Sequence, residues 1–232
     1  MIDWHSHILP GMDDGSQSVE ESLMMLDKMS EQGVSSLVAT PHFYANSESF
    51  DHFLSRRRSR FEALSGSLTE NHPKIFCGAE VKYYPGIAKF KDLASLAIEG
   101  TQILLLEMPM MHWTEYTVNE LIELSATADL KLVLAHIERY LPMQSLQVFD
   151  RLRENGILMQ VNASYFKKLS SRRKALSLLD AGFIHFLGSD THNMTDRCPN
   201  LGDAYRIIEK KFGNYFVVQM NEFGNRHLGH FN

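Results

Sequence analysis

The sequence contains few cysteines: Cys77 and Cys198 are the only two among 232 residues. Two thiols in a chain of this length do not make a disulfide framework. Neither thiol begins the C-x5-R phosphate loop of thiol phosphatases, because Tyr83 and Ala204 occupy the positions where the arginine would stand. Both cysteines are therefore predicted to be reduced and structural, and a thiol-phosphatase mechanism is excluded.

Long apolar runs and an excess of positive charge are also missing. No run approaches the ~20 apolar residues of a membrane-spanning helix, and the first residues lack the basic region of a signal peptide. The formal net charge of -5 argues against a nucleic-acid-binding surface. We expect a cytoplasmic protein with no membrane insertion and no nucleic-acid partner. The basic cluster Arg56, Arg57, Arg58 and Arg60 is interpreted as a solvated helix face, with attraction of an anionic substrate as the second interpretation.

The chain does contain a regular alternation of strand and helix patterns. Apolar strand segments lie at residues 2–8, 34–40, 74–81, 101–108, 131–135, 157–161 and 183–188. The alternation predicts a parallel sheet with right-handed crossovers, and the number of units favours closure into a barrel. We expect an α/β fold and a single domain over residues 1–232. Residues 215–220 are assigned no state, and the tail from Asn221 is expected to be mobile.

Side chains that bind metals follow almost every predicted strand. His5 and His7 are one residue apart in the first strand, so their side chains point to the same face. Imidazoles and carboxylates without thiolates favour Mn, Fe or Zn, and the set is large enough for two or three ions that share a carboxylate. The candidate ligands are His5, His7, Asp14, His42, Glu80, Glu107, His136, Asp190 and His192.

Each candidate ligand also has an ordinary explanation, such as a loop histidine for His42 or a helix cap for Asp190. Their joint occurrence at successive strand ends favours a metal site. Glu107 also follows an apolar run, where a lone carboxylate is costly. The remaining histidines are interpreted as surface or core residues without a ligand role: His52, His72, His112, His185, His227 and His230.

The segments H-S-H-I-L-P-G-M-D-D-G, V-A-T-P-H, G-A-E, L-L-E-M-P, A-H-I-E-R-Y and G-S-D-T-H-N together resemble the polymerase-and-histidinol-phosphatase (PHP) superfamily. Within it, the chain is similar to the bacterial manganese-dependent tyrosine-protein phosphatases of capsule and exopolysaccharide systems (CpsB/CapC-like). The resemblance implies a distorted seven-stranded parallel (β/α) barrel of the PHP type. It also implies a trinuclear Mn²⁺ site in which Glu80 bridges, with phosphate bound by Arg139 and Arg197. The chain departs from the family pattern at Ile137 and Cys198.

These observations lead to a hypothesis of phosphotyrosine hydrolysis by a metal-activated hydroxide. The resemblance implies a phosphotyrosine protein as partner, namely the tyrosine-rich tail of a bacterial tyrosine kinase. Asp3, Glu138 and Asn162 are assigned to orient the ligands. The alternatives are a histidinol-phosphate phosphatase or other PHP phosphoesterase, a metal amidohydrolase, and a non-enzymatic binding module. Amidohydrolases usually carry a carboxylated lysine where this chain has Glu107.

Overall fold

The computed structural model describes residues 1–90, 92–127 and 129–229, in which strands and helices alternate. The strands are β1 (Ile2–Ser6), β2 (Ser36–Ala39), β3 (His42–Phe43), β4 (Lys74–Cys77), β5 (Glu80–Lys82), β6 (Ile103–Glu107), β7 (Lys131–Leu134), β8 (Leu158–Asn162) and β9 (Phe186–Gly188). The α-helices are α1 (Val19–Glu31), α2 (Phe50–Ser65), α3 (Glu115–Thr127), α4 (Leu146–Glu154), α5 (Ala163–Lys167), α6 (Leu169–Asp180), α7 (Leu201–Phe212) and α8 (Asn214–His227). Short 3-10 helices span Ile87–Lys89, Leu93–Leu96 and Ile137–Arg139.

The strands form two parallel sheets, in the orders β1-β2-β4 and β3-β5-β6-β7-β8-β9. The predicted strand over residues 74–81 is broken in two, since β5 continues β4 beyond Gly78. β3 continues β2 beyond Pro41 and lies outside the strand predicted over residues 34–40. Pro41 has no N–H group to extend a ladder. The outer strands β1 and β9 meet through a bridge between Ser6 and Thr191. The expected parallel α/β fold is confirmed, whereas a continuous seven-stranded barrel stays a prediction.

The buried apolar side chains form two clusters on opposite faces of the strands. In β6, Ile103 and Leu105 belong to the smaller cluster, while Leu104 and Leu106 belong to the larger one. This alternation follows from the two-residue period of a strand. The larger cluster joins the strands to the helices. The smaller cluster lies among the strands themselves. β6 is therefore covered on both faces, as parallel sheets require.

The C-terminal segment differs from our expectation of a mobile tail. Residues 214–227 form α8, which includes Asn221 and the segment that had been assigned no state. A Cβ added at Gly224 would lie 3.0 Å from Ile2 Cδ1 and 3.4 Å from Trp4 Nε1, so the helix packs closely on β1. Leu228 is 4% exposed within the smaller cluster. The prediction of a mobile tail is wrong for residues 221–229, because these apolar contacts cover the amino ends of the strands. The rest of the predicted tail lies outside the described residues.

Local signals in the sequence located some helix ends well. Ser18 caps α1 and its hydroxyl accepts a hydrogen bond from the Glu21 N–H at 3.2 Å, as the capping-box pattern predicts. The Glu21 carboxylate accepts from Gln17 N–H at 2.9 Å. α5 was not predicted, because its 5 residues are too few to show a helical period. Among the helices described, none combines the length and apolar character needed to cross a membrane.

Candidate metal centre

The carboxyl ends of the strands bring the predicted ligands into one cluster. His5 lies in β1 and Glu107 ends β6. His42 and Glu80 begin the short strands β3 and β5, which continue β2 and β4 at their carboxyl ends. The candidate ligands include three groups, and within each group the donor atoms lie within 4.8 Å of one another. The groups are His7 with Asp14, His42 and His192; His5 with His7 and Asp190; and His42 with Glu80 and Glu107. The shared histidines link the groups, so the cluster can hold more than one divalent ion.

Glu80 lies at the centre of the cluster and contacts four imidazoles. Its Oε2 atom is 3.2 Å from His5 Nε2, 3.4 Å from His7 Nε2 and 3.0 Å from His42 Nδ1. Its Oε1 atom is 2.7 Å from His136 Nε2. The His5 and His7 Nε2 atoms are themselves 3.1 Å apart. Because its two oxygens contact different imidazoles, Glu80 has the position expected of a carboxylate shared between metal ions.

Several donor atoms in the cluster are buried without a hydrogen bond. They are Glu80 Oε2, Glu107 Oε2, His42 Nδ1 and His192 Nε2. Glu80 Oε2 and His42 Nδ1 are close enough to form an ion pair, at 3.0 Å. Buried polar atoms in folded proteins are almost always satisfied. Converging nitrogen and oxygen lone pairs without hydrogen bonds fit divalent cations, so the residues present fit a site for divalent metal.

The ionisation of the cluster is set by burial and by the contacts among its members. Burial alone would raise the pKa of Glu80, but the imidazoles of His5, His136 and His42 hold that pKa well below its usual value. Burial and the neighbouring His7 lower the pKa of His192 to about 4. Burial also lowers the pKa of His136. His136 and His192 are therefore neutral at pH 7, which is the form that binds metal.

Two predicted ligands have an unusual backbone conformation. His136 has φ of 34° and Asp190 has φ of 53°, and these are the non-glycine residues with positive φ in the described ranges. Such a conformation costs a non-glycine residue roughly 1–2 kcal/mol. Both residues lie two positions beyond the last residue of a strand, β7 for His136 and β9 for Asp190, where the turn determines the direction of the side chain. The strain is therefore concentrated at the cluster.

Arg139 and Arg197 border the cluster at Asp190. Arg139 Nη2 donates to Asp190 Oδ2, and Arg197 Nη2 donates to Asp190 Oδ1 at 2.6 Å. Arg197 Nη1 is also 3.8 Å from Asp14 Oδ2. The two arginine side chains are 36% and 38% exposed. Both guanidinium groups can therefore be reached from solvent by an incoming anion.

The three residues that we assigned to orient ligands lie around the cluster. Asp3 Oδ1 accepts hydrogen bonds from the backbone N–H groups of His5 at 3.2 Å and Ser189 at 2.8 Å. Asn162 Nδ2 donates to Asp190 Oδ2 at 2.7 Å. Asp3 therefore holds the two outer strands together, while Asn162 touches a candidate ligand directly.

The carboxylate oxygens of Glu138 accept from the Asn162 N–H at 3.4 Å. Burial raises the pKa of Glu138 to about 7 and the pKa of Asp3 to about 6. Both carboxyl groups thus lie next to the cluster without entering one of the candidate donor groups.

Asp13 has a role that was not predicted from the sequence. Its Oδ2 atom accepts hydrogen bonds from His7 Nδ1 at 2.8 Å and from the backbone N–H of His42 at 2.9 Å. The bond to Nδ1 leaves His7 Nε2 available as a donor to metal. A Cβ added at Gly15 would lie 2.2 Å from the His7 carbonyl oxygen, so only glycine fits that turn. The D-D-G pattern contains both Asp13 and Asp14, but only Asp14 is among the predicted ligands.

Gln160 and Tyr140 were also missed. Gln160 Oε1 accepts from the His136 backbone N–H at 2.7 Å and lies 3.2 Å from His5 Nδ1. The Tyr140 hydroxyl is 3.2 Å from His136 Nδ1 and accepts from Met108 N–H at 2.9 Å. Gln160 precedes Asn162 by two residues on β8, so strand alternation could have signalled it.

Other singled-out residues lie outside the cluster. Arg56 and Arg57 donate to the backbone carbonyls of Met12 and Gly78, so contacts give no support to an anion-binding role. Cys77 and Cys198 are both free thiols. His230 lies outside the described residues. The other non-ligand histidines have hydrogen-bond partners outside the cluster: His52, His72, His112, His185 and His227.

A family model for capsular polysaccharide synthesis proteins, CpsB/CapC, matches residues 1–225. The chain belongs to the CpsB/CapC family. It is 29% identical over 248 residues to the tyrosine-protein phosphatase CpsB of Streptococcus agalactiae, covering 95% of this chain and 94% of that protein. It is 29% identical over 231 residues to the tyrosine-protein phosphatase YwqE of Bacillus subtilis, covering 96% and 89%.

Solved structures give the same result. The crystal structures of YwqE from Bacillus subtilis and CpsB from Streptococcus pneumoniae describe unique metal-dependent tyrosine phosphatases. The match covers 100% of this chain and 96% of the solved chain, with a TM-score of 0.84 and 25% identity. The family resemblance that the sequence motifs indicated is confirmed.

Proposed function

We propose that this chain is a metal-dependent protein-tyrosine phosphatase that hydrolyses phosphotyrosine. The observation that carries the proposal is the set of nitrogen and oxygen donors collected around Glu80, several of them buried without hydrogen bonds. Members of the same family in Streptococcus agalactiae and Bacillus subtilis are tyrosine-protein phosphatases. A histidinol-phosphate phosphatase would use the same kind of site, but no contact of this cluster favours it.

The cofactor that we propose is Mn²⁺, as two or three ions, with Fe or Zn as the alternatives. The residues that would hold the ions are the nine predicted ligands, with Glu80 shared between ions. Bound divalent ions supply Lewis acidity to phosphoryl oxygens and bring the pKa of water toward ~7. Asp13 and Gln160 contact His7 and His5 through their Nδ1 atoms and so orient these imidazoles.

Arg139 and Arg197 are proposed to bind the phosphoryl group. A guanidinium group donates paired hydrogen bonds to phosphate oxygens and stays charged. Both arginines already donate to Asp190, which holds them at the edge of the cluster. They can therefore stabilise the charge that develops on the phosphoryl oxygens. The tyrosine phenolate has a pKa near ~10 and leaves without a strong general acid.

The proposed physiological substrate is a phosphotyrosine protein, namely the tyrosine-rich tail of a bacterial tyrosine kinase that controls capsule or exopolysaccharide synthesis. We also propose that residues 1–232 form one domain. Counting β2 with β3 and β4 with β5 gives seven strand positions, and the Ser6–Thr191 bridge would close them into the barrel that the family resemblance implies.

A substrate panel tests the proposal. Purified protein is assayed with a phosphotyrosine peptide and with histidinol phosphate, in the presence of Mn, Fe, Zn or a chelator. We expect phosphotyrosine turnover that the chelator abolishes and that orthovanadate does not inhibit. His136→Ala and Arg139→Ala should lose most of this turnover. A higher kcat/KM for histidinol phosphate, or normal turnover by both variants with full metal content, would overturn the assignment.

A further inference from the structure

An aromatic pocket lies beside the candidate metal centre. The cavity has a volume of about 400 Å³, and its walls include Tyr44, Lys82, Tyr84 and Phe90. Tyr44 belongs to both regions, because its ring stacks on the His42 ring with centroids 5.4 Å apart and planes inclined by 26°. The pocket therefore adjoins the cluster through a shared wall, the Tyr44 ring.

Lys82 connects the pocket to the cluster by charge. Its Nζ atom is 3.5 Å from Glu107 Oε2 and 5.5 Å from the centre of the Tyr44 ring. Arg139 and Arg197 meet the cluster at Asp190, whereas Lys82 and Tyr44 meet it at Glu107 and His42. A phosphoryl group bound at the cluster thus has arginines at one border and the aromatic walls at another.

Two features of the walls are unusual for a surface that only faces water. The Tyr84 hydroxyl oxygen is buried and has no hydrogen-bond partner among the described residues. Phe90 is 42% exposed, although it stacks on Phe50 at 4.6 Å and meets the Tyr84 ring edge to face at 6.1 Å. Exposed ring surface and a cation over a ring both favour an aromatic ligand.

We propose that this pocket binds the aromatic ring of the phosphorylated tyrosine and so selects aryl over alkyl phosphomonoesters. The inference rests on the proposed phosphatase function and names the part of the substrate that the chain recognises. The ring would lie among Tyr44, Tyr84 and Phe90, with Lys82 near the ester oxygen. In the interactions described above, Phe90 and Tyr84 contact none of the candidate metal ligands. Their proposed role is therefore confined to binding the ring.

Titration calorimetry on the Mn-loaded protein tests the pocket without requiring turnover. Phenylphosphonate and methylphosphonate carry the same charged group and differ in the ring. We expect the unmodified protein to bind phenylphosphonate about tenfold more tightly than methylphosphonate. In Phe90→Ala and in Tyr84→Ala, the affinity for phenylphosphonate should fall about fivefold. Methylphosphonate affinity should not change. Tyr215→Ala, which removes an exposed aromatic ring on α8, is the matched control.

The outcomes separate the pocket from the phosphatase function. Equal loss of affinity for the two phosphonates, or no phenyl preference in the unmodified protein, would overturn the pocket even if phosphotyrosine is hydrolysed. A phenyl preference that both variants weaken, in a protein that hydrolyses no phosphotyrosine with any metal, would overturn the proposed function and retain the pocket as an aryl-phosphonate site. Circular dichroism spectra of both variants check that they are folded.

Discussion

Side chains at both ends of the strands are buried, but those at the amino ends are apolar and those at the carboxyl ends are ionisable. At the amino ends, Ile2 and Ile103 pack in the smaller apolar cluster, which Phe223 of α8 and Leu228 just after the helix cover. At the carboxyl ends, His5 and Glu80 are equally inaccessible, yet they face other ionisable groups. A single strand such as β1 passes from one environment to the other within 5 residues.

This difference separates what stabilises the fold from what we propose to carry out the chemistry. The amino ends gain free energy from apolar burial. The carboxyl ends hold two strained backbone positions, His136 and Asp190, and several donor atoms without hydrogen bonds. Unsatisfied buried groups and strain cost free energy. Substitutions at the carboxyl ends should therefore lower activity, and substitutions at the amino ends should lower stability.

The largest effect is expected at the carboxyl ends. Glu80→Gln keeps the volume of the side chain but removes the charge at the centre of the cluster. Activity toward a phosphotyrosine peptide should fall by about 10³-fold, because the ions supply several kcal/mol of transition-state stabilisation. Steady-state kinetics and elemental analysis measure activity and bound metal. Glu62→Gln, an exposed carboxylate on α2, is the control for charge. Full metal content and normal turnover in Glu80→Gln would contradict the proposed role of the carboxyl ends in the chemistry.

A cavity at the amino ends should instead lower stability. Ile103→Ala removes a buried side chain from the smaller cluster and should cost about 3 kcal/mol in the free energy of unfolding. Urea denaturation measures this change, and the kcat of the folded protein should stay the same. Val218→Ala on the exposed face of α8 should have little effect on either quantity. If Ile103→Ala lowered kcat without lowering stability, the two ends would not be separable.

Metal should stabilise the carboxyl ends in particular. An ion that binds only the folded state adds about 3 kcal/mol when its concentration is 100 times the dissociation constant. Thermal unfolding with Mn and with chelator should therefore differ by several degrees for the unmodified protein and for Ile103→Ala alike. The difference should disappear in Glu80→Gln. An unchanged Tm on chelation of the unmodified protein would argue against a metal site.

The smallest effect is a pH dependence at the amino ends. His185 Nδ1 accepts a hydrogen bond from Met159 N–H at 3.1 Å, and burial lowers the pKa of His185 to about 4. The unfolded chain, with a histidine pKa near ~6.5, binds more protons between these values, so His185 destabilises the fold as the pH falls from about 6.5 toward 4.

His185→Asn should remove this part of the pH dependence and retain a side chain that can accept from Met159. We expect the loss of stability between pH 7 and pH 5 to be about 1 kcal/mol smaller in the variant, because partial exposure reduces the effect. Urea denaturation at the two pH values measures it. His52→Asn, at an exposed site on α2, is the control. An equal pH dependence of stability in His185→Asn and His52→Asn would show that His185 does not make this contribution.

The sequence predicted the candidate ligands better than their supports. His5, His42, Glu80, Glu107 and Asp190 could be selected because the carboxyl ends of parallel strands share one edge of the fold. The supporting residues gave weaker signals, since a hydrogen-bond acceptor such as Gln160 has no residue spacing of its own. The extent of α8 could not be predicted either, because its helical form depends on contacts with β1.

The sequence by itself determined the alternating strands and helices, the family, and the kinds of donor atom that follow the strands. These depend on residue type, on short-range periodicity and on the order of motifs along the chain. Only the tertiary structure decided that Glu80 is central and that Asp13 contacts His7. It also decided that Tyr44 joins an aromatic pocket to the cluster. The physical reason is that such contacts join residues from different strands and loops, whose distances are set when the whole sheet curls and packs.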